Sequence, residues 1–195
     1  MAGDTRERVV AATGRLLRQK GYRGTGLSEI IEASGAPRGS IYFHFPDGKD
    51  QIVREAMLGE VRRISAVLAA LTREAPGPVE AMRAYVRGAA EELAGSNYLF
   101  GCPVAPVILD LPDPGSPLAE ACREAMEEWC GIYEATLAAA GVPAERAASL
   151  ATMAVASLEG ALLLARARRD VAPLDRIADE MEVLISGALP DPVGA

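Results

Sequence analysis

The ten residues APRGSIYFHF, positions 36 to 45, hold the groups in this chain best suited to do chemistry. The only histidine, His44, stands there with Arg38, Ser40, Tyr42, two phenylalanines and Gly39, and three of the nine aromatic side chains fall in the run. A guanidinium, a hydroxyl, a phenol and an imidazole within seven positions are hydrogen-bonding groups suited to phosphate oxygens. An apolar ring can meet a thymine methyl on a groove floor, and a glycine lets the main chain come close. At about 100° per residue on a helix, Ile41 and Phe45 share an inward face while Gly39 and Phe43 point the opposite way. Arg38 and Tyr42 then take one flank, Ser40 and His44 the other. Ile41 and Phe45 read as core, and Tyr42 can lay its ring on the core with its hydroxyl outside. An outward Phe43 asks for a partner.

Other chemistries find little support. With its one histidine in that run and no Gly-rich phosphate loop or metal cluster, catalysis would rest on carboxylates or Cys102 alone, so no enzyme, metal or cofactor is expected. Cys102, Cys122 and Cys130 form no CxxC pair, and their odd number fits buried free thiols better than a disulfide framework or a zinc site.

The elements that must position the run are helical. Half of the 195 residues are hydrophobic, alanine and leucine dominate, and no stretch alternates with period two, which predicts an all-α protein with a sizeable core. A first helix is expected from Asp4, its cap, to Lys20, with Val9, Val10, Ala12, Leu16 and Leu17 on one face and Gly21 ending it. After GYRGTG, Thr25 caps a second helix that runs to about Ser34; Gly35 turns the chain, and Pro37 opens a third helix reaching Phe45. These are the parts of a helix-turn-helix. Asp47 then caps a long helix to Leu71, with Lys49 in its first turn either as an ordinary solvated lysine or beside an anion such as phosphate. Net charge is −7, but residues 1 to 50 carry eight Lys+Arg against six Asp+Glu, so this quarter presents a different surface from the acidic remainder.

The run GYRGTGLSEIIEASGAPRGSIYFHFPDGKDQIV resembles the helix-turn-helix signature of the TetR family of one-component bacterial repressors, over about residues 5 to 58. The Gly-Tyr pair, the Ile-x-x-x-x-Gly turn and Gly-Ser-Ile-Tyr-x-His-Phe fall together at the family's spacing. Pro46-Asp47-Gly48 stands where many members have a single polar residue. That form, with GCPVAPVILDL later, is similar to the LmrA- and YxaF-like branch. The resemblance implies an all-helical homodimer of nine helices per subunit, three for DNA and six for regulation. It implies that Arg38, Gly39, Ser40, Tyr42, Phe43 and His44 approach a near-palindromic operator, with Thr25 or Ser28 and Lys49 holding phosphates.

Beyond residue 50 the pattern changes. A helix is expected from about Val79 to Ala94. Residues 95 to 117 hold five of the thirteen prolines and read as an irregular stretch that lines or gates something. Another helix starts at Ser116-Pro117 and runs to Gly141. Tyr98, Phe100, Cys102, Met126, Trp129 and Tyr133 are the candidates for a pocket that takes a hydrophobic small molecule, the alternative being that they are plain core. Residues 147 to 165 contain one charge, Glu159. That run suits a helix buried on all sides, between its own domain and a second subunit, better than a membrane span. The final helix offers the stripe Leu174, Ile177, Ala178, Met181, Leu184, Ile185 and Ala188, so a homodimer through the last two helices is expected. The expected organisation is a DNA-binding domain over 1–49, a ligand-binding and dimerisation domain over 50–189 and a loose tail over 190–195. No leader is recognisable, which suggests a cytoplasmic protein that does not use the membrane. A helical ligand-binding dimer without DNA binding is the alternative reading.

Overall fold

The computed structural model describes residues 2–111 and 113–190, and among them the chain forms nine helices and no strand. In chain order they are α1 (Ala2–Lys20), α2 (Leu27–Ser34), α3 (Arg38–His44), α4 (Lys49–Glu74), α5 (Pro78–Gly95), α6 (Ala105–Asp110), α7 (Pro117–Ala139), α8 (Ala144–Arg168) and α9 (Ala172–Ser186). The tail expected over 190–195 lies, from residue 191 on, outside the described residues.

The chain divides into two compact units, and the division does not follow residue 49. The first comprises Met1–Arg63 and Cys102–Ala125, the second Ile64–Gly101 and Met126–Ala195. The helices α4 and α7 therefore contribute to both, and the proline-rich stretch carrying α6 belongs with the N-terminal helices.

In the first unit Val9, Ile30, Ala36, Ile41, Phe45 and Ile52 form one buried cluster, with Val10, Leu16, Leu27 and Ile31 packed around it. Each fully buried Val, Ile and Phe side chain among them contributes roughly 1.5–3 kcal/mol by leaving water. The cluster draws on α1, α2, α3 and α4, so three short or medium helices acquire a fixed arrangement that none could hold alone. Two cap assignments change. The helix α1 begins at Ala2, which puts Asp4 inside its first turn rather than ahead of it. Gly48, with φ +73°, precedes α4, and its carbonyl accepts the Ile52 amide at 3.3 Å, so Gly48 rather than Asp47 takes the cap position. Asp47 instead donates its amide to the Gln51 side chain at 3.2 Å.

In the second unit α5, α8 and α9 pack on one another. Their buried residues include Met82, Val86 and Leu93 on α5, Leu150 and Leu158 on α8, and Leu174, Met181 and Ile185 on α9. Arg83 on α5 bonds Asp179 at 2.9 Å and Glu182 at 2.5 Å on α9. By length and composition α8 could cross a membrane. Its inward face, including Ala147, Ala151, Ala154, Ala161 and Ala165, is buried in this bundle, while Leu163 and Leu164 stay exposed on the other side.

Candidate nucleic-acid interface and effector cavity

The turn before α3 is built by Gly35, whose φ of +62° suits a residue without Cβ, and by a bond from the Ala36 amide to the Ser34 hydroxyl at 3.3 Å. Pro37 stands at the cap position, one residue ahead of the expected place. With φ −61° and ψ 138° it is pre-set for that role, and its carbonyl receives the Ser40 amide at 2.9 Å. Phe45 closes the helix, its amide bonded to the Ile41 carbonyl at 2.8 Å. Over seven residues the spacing does what helical geometry requires. Ile41 and Phe45 are buried, Phe45 at 0 % exposure, while Phe43 stands 80 % exposed with Arg38, Gly39 and Tyr42 also open to solvent. Ser40 and His44 are half-buried on the other flank. The Phe43 and His44 rings meet edge to face at 5.1 Å. The exposed face thus gathers a cation, a phenol, a hydroxyl, an imidazole and an uncovered phenyl ring on a helix anchored from beneath.

The flanking hydroxyls separate. Thr25 is fully buried, and its hydroxyl donates to the Gly21 carbonyl at 2.7 Å, so Thr25 neither caps α2 nor reaches a phosphate. Gly26 is the cap of α2, with its amide donated to Glu29 at 3.4 Å. A Lys20–Glu29 hydrogen bond holds the Glu29 carboxyl below its usual range. Ser28 is the exposed hydroxyl at the start of α2.

Lys49 is neither freely solvated nor idle. Its ammonium donates to the Tyr22 carbonyl at 2.7 Å and lies 3.9 Å from the centre of the Tyr22 ring. Burial draws its pKa down, against the opposing pull of Asp50 and Asp110. The Tyr22 hydroxyl in turn donates to Asp50 at 2.6 Å, and burial together with that carboxylate pushes its pKa up to about 12. Lys49 and Asp50 therefore staple the start of α4 to the turn between α1 and α2.

The six pocket candidates differ in burial and in partners. Tyr133 lines an apolar cavity of about 10 Å³ in the second unit, with Leu68, Thr72, Ala81, Thr136 and Leu150 among its walls. That is room for about one water. Burial raises the Tyr133 hydroxyl's pKa further, with Tyr85 adding to the effect. Trp129, one turn earlier on α7, is buried and donates its indole N–H to Ser65 at 3.2 Å. Met126, Tyr98 and Phe100 are half-buried, and Tyr98 adopts a φ of +62° beside Asn97 at +55°. Cys102 is buried in the first unit, its sulfur facing the Val104 and Ala105 amides at 3.3 and 3.4 Å. The three cysteines are free thiols, Cys102 and Cys122 buried and Cys130 only partly so.

An all-helical chain with a turn-linked helix pair presenting donors on its open face defines a helix-turn-helix DNA-binding regulator. Residues 9–56 match the family of bacterial regulatory proteins named for TetR, and residues 78–180 match the C-terminal domain of LmrA/YxaF-like transcriptional regulators. The chain belongs to the TetR family and carries that branch's regulatory domain. It is 35 % identical to the HTH-type transcriptional regulator LmrA of Bacillus subtilis (strain 168) over 176 residues, 90 % of this chain and 94 % of that one. It is 30 % identical to YxaF of the same organism over 183 residues, 94 % of this chain and 96 % of that one. Among solved structures, a TetR transcriptional regulator from Chloroflexus aurantiacus J-10-FL matches with TM-score 0.82 and 27 % identity, covering 96 % of this chain and 97 % of that one. The protein is a transcriptional regulator, of a family whose members bind DNA operators and small-molecule effectors and dimerise.

Proposed function

We propose that the protein is a homodimeric repressor that holds a near-palindromic operator through α3 and releases it when a small hydrophobic molecule enters the second unit. The observation that carries this reading is the two-sidedness of α3: Ile41 and Phe45 anchor it while Arg38, Gly39, Tyr42 and Phe43 remain open to solvent. On this reading Ser28 meets phosphate beside the face of α3, and Lys49 supplies charge at the start of α4. Tyr42 and Ser40 join the phosphate contacts, and Phe43 reads a base edge.

The apolar lining of the cavity supports the effector half of the reading. About 10 Å³ is far below the roughly 300–1,000 Å³ of a ligand pocket, so the molecule that binds there must part the helices around it. A ligand that needs an opened bundle has different affinities for the two shapes, which is the condition for a switch. Apart from Tyr133, the polar tips in the lining are Thr72 and Thr136. Both hydroxyls donate to their own helix, to Ala69 and Ile132, and so offer accepting lone pairs to a mostly apolar guest.

Dimerisation belongs to the outward faces of α8 and α9. The stripe expected to meet a partner divides: Leu174, Ala178, Met181 and Ile185 are buried within their own subunit, Ile177 and Ala188 are half-buried, and Leu184 is exposed. The residues left for a second copy are Met153, Leu163 and Leu164 on α8 with Val183 and Leu184 on α9. As a regulator of DNA the protein acts in the cytoplasm.

Footprinting the DNA upstream of its own gene, with and without small apolar compounds, tests the proposal. Protection of a two-fold repeat that one compound abolishes is expected, with log affinity falling linearly against log salt. Absence of protection at any salt concentration overturns it.

A further inference from the structure

Eighty-seven residues beyond the turn between α1 and α2, the last residue of α6 returns to it. The Asp110 carboxylate accepts the Arg23 amide at 2.9 Å, and the Asp110 carbonyl accepts the Arg23 Nε at 3.3 Å. The carboxylate lies so close to Gly21 that a Cβ there would stand 2.9 Å from its oxygen and 3.2 Å from Pro106, while φ at Gly21 is +72°. Gly21 is therefore required twice, for its backbone conformation and for the approach of α6. Within the turn, Gly21 donates to the Leu17 carbonyl and accepts from Thr25, whose amide reaches the Tyr22 carbonyl. The turn is held from outside at two places, at Tyr22 by Lys49 and Asp50 of α4 and at Arg23 by Asp110 of α6.

We infer that Asp110 is a positioning residue for DNA binding: lodged against Gly21 and Arg23, it fixes the turn that seats α2, and through α2 the orientation of α3. The inference rests on the DNA-binding reading above. The route is short and rigid. Three residues after Arg23 comes the cap Gly26, and on the helix it starts, Ile30 packs in the same buried cluster as Ile41 of α3. A turn released from Asp110 shifts α2 as a body, because a close-packed cluster transmits displacement rather than absorbing it. The Asp110 charge also acts on Lys49, so the same carboxylate bears on the start of α4.

The experiment compares wild type, Asp110→Ala, Asp110→Asn, Asp110→Leu and Gly21→Ala as full-length proteins on DNA selected by the wild type from a random pool. Readouts are anisotropy titrations at several salt concentrations, sedimentation, and amide hydrogen exchange. Asp110→Ala and Gly21→Ala are expected to bind about tenfold more weakly, the scale of effect seen for residues that touch neither ligand. Their salt slope is expected to match the wild type's, since no phosphate contact is removed. Asparagine keeps an accepting oxygen in the same place and is expected to restore most of the affinity, whereas Asp110→Leu, of similar size but without an acceptor, is expected to bind as weakly as Asp110→Ala. Exchange at Arg23 and along α2 should quicken in the alanine variant while the second unit is unchanged. Wild-type affinity in Asp110→Ala, or failure of asparagine to restore binding, overturns the inference and leaves the DNA-binding reading standing. If the wild type selects no DNA, the reading itself fails and takes the inference with it.

Discussion

Tyr42 and Phe43 are neighbours with different work to do, and their chemistry separates them. The Tyr42 hydroxyl is a donor at the flank of α3, suited to a phosphate, which carries no sequence information. Tyr42→Ala should therefore weaken binding by a similar factor on every operator variant and leave the salt slope unchanged, since a neutral phenol releases no counterion. A gel-shift titration in which affinity is unchanged would remove Tyr42 from the interface. The Phe43 ring has no donor or acceptor and can discriminate only through apolar contact, for which the thymine methyl is the available target in the major groove. Replacing thymines by uracils one at a time should weaken the wild type at one position of each half-site and leave Phe43→Ala indifferent there. Equal loss in both proteins would mean that the ring reads nothing. The outward aim of both side chains was legible before any coordinates, because a helix converts spacing into direction. Thr25 shows the limit of that legibility. It has the residue type of a cap, but one residue too early, and a hydroxyl that finds the Gly21 carbonyl instead cannot be told from a cap by spacing alone.

The short helices depend on one another more than on their own propensity, so element-level damage should be large where the shared cluster is opened. Phe45 is fully buried at the end of α3, with the Arg6 guanidinium 5.5 Å from its ring centre. Phe45→Ala leaves a cavity among Val9, Ile30 and Ile41 and should cost about 3–5 kcal/mol in urea unfolding of the first unit. A loss below 1 kcal/mol would mean that this cluster does not hold α3. The helices were readable because buried positions recur at three and four residues, and ends such as Ser116, which accepts the Ala119 amide at 3.2 Å, announce themselves by type. The grip of Asp110 on Arg23 was not readable. It joins an irregular proline-rich stretch to a turn far away in the chain, and no period or local cap encodes which carboxylate will arrive there.

At the scale of the whole molecule the decisive quantity is apolar surface left over after each chain has folded. Leu163 on α8 is 69 % exposed and Val183 on α9 is 68 % exposed, with Met153, Leu164 and Leu184 also open, in two helices packed side by side. The pattern of α9 had suggested a partner for the face that its own bundle consumes. Periodicity reveals that a face is apolar but cannot say which neighbour buries it; the residues left exposed, Leu184 of the stripe and Val183 beside it, mark the free face of α9. For a palindrome to be read by both copies at once, the two α3 helices of such a dimer must meet successive major grooves, about 34–36 Å apart. Leu163→Glu tests this with little risk to the subunit, because a side chain so exposed contributes little to its own fold and surface changes usually fall within about 0.5 kcal/mol. In the dimer the same carboxylate would be desolvated opposite apolar residues. The variant should keep its helical signal and melting behaviour at high dilution, sediment as a single chain where the wild type sediments as two, and lose most of its affinity for a full operator. Its affinity for an isolated half-site should match that of the wild type. A variant that still sediments as two chains would place the partner on another face and leave these leucines without a role in assembly.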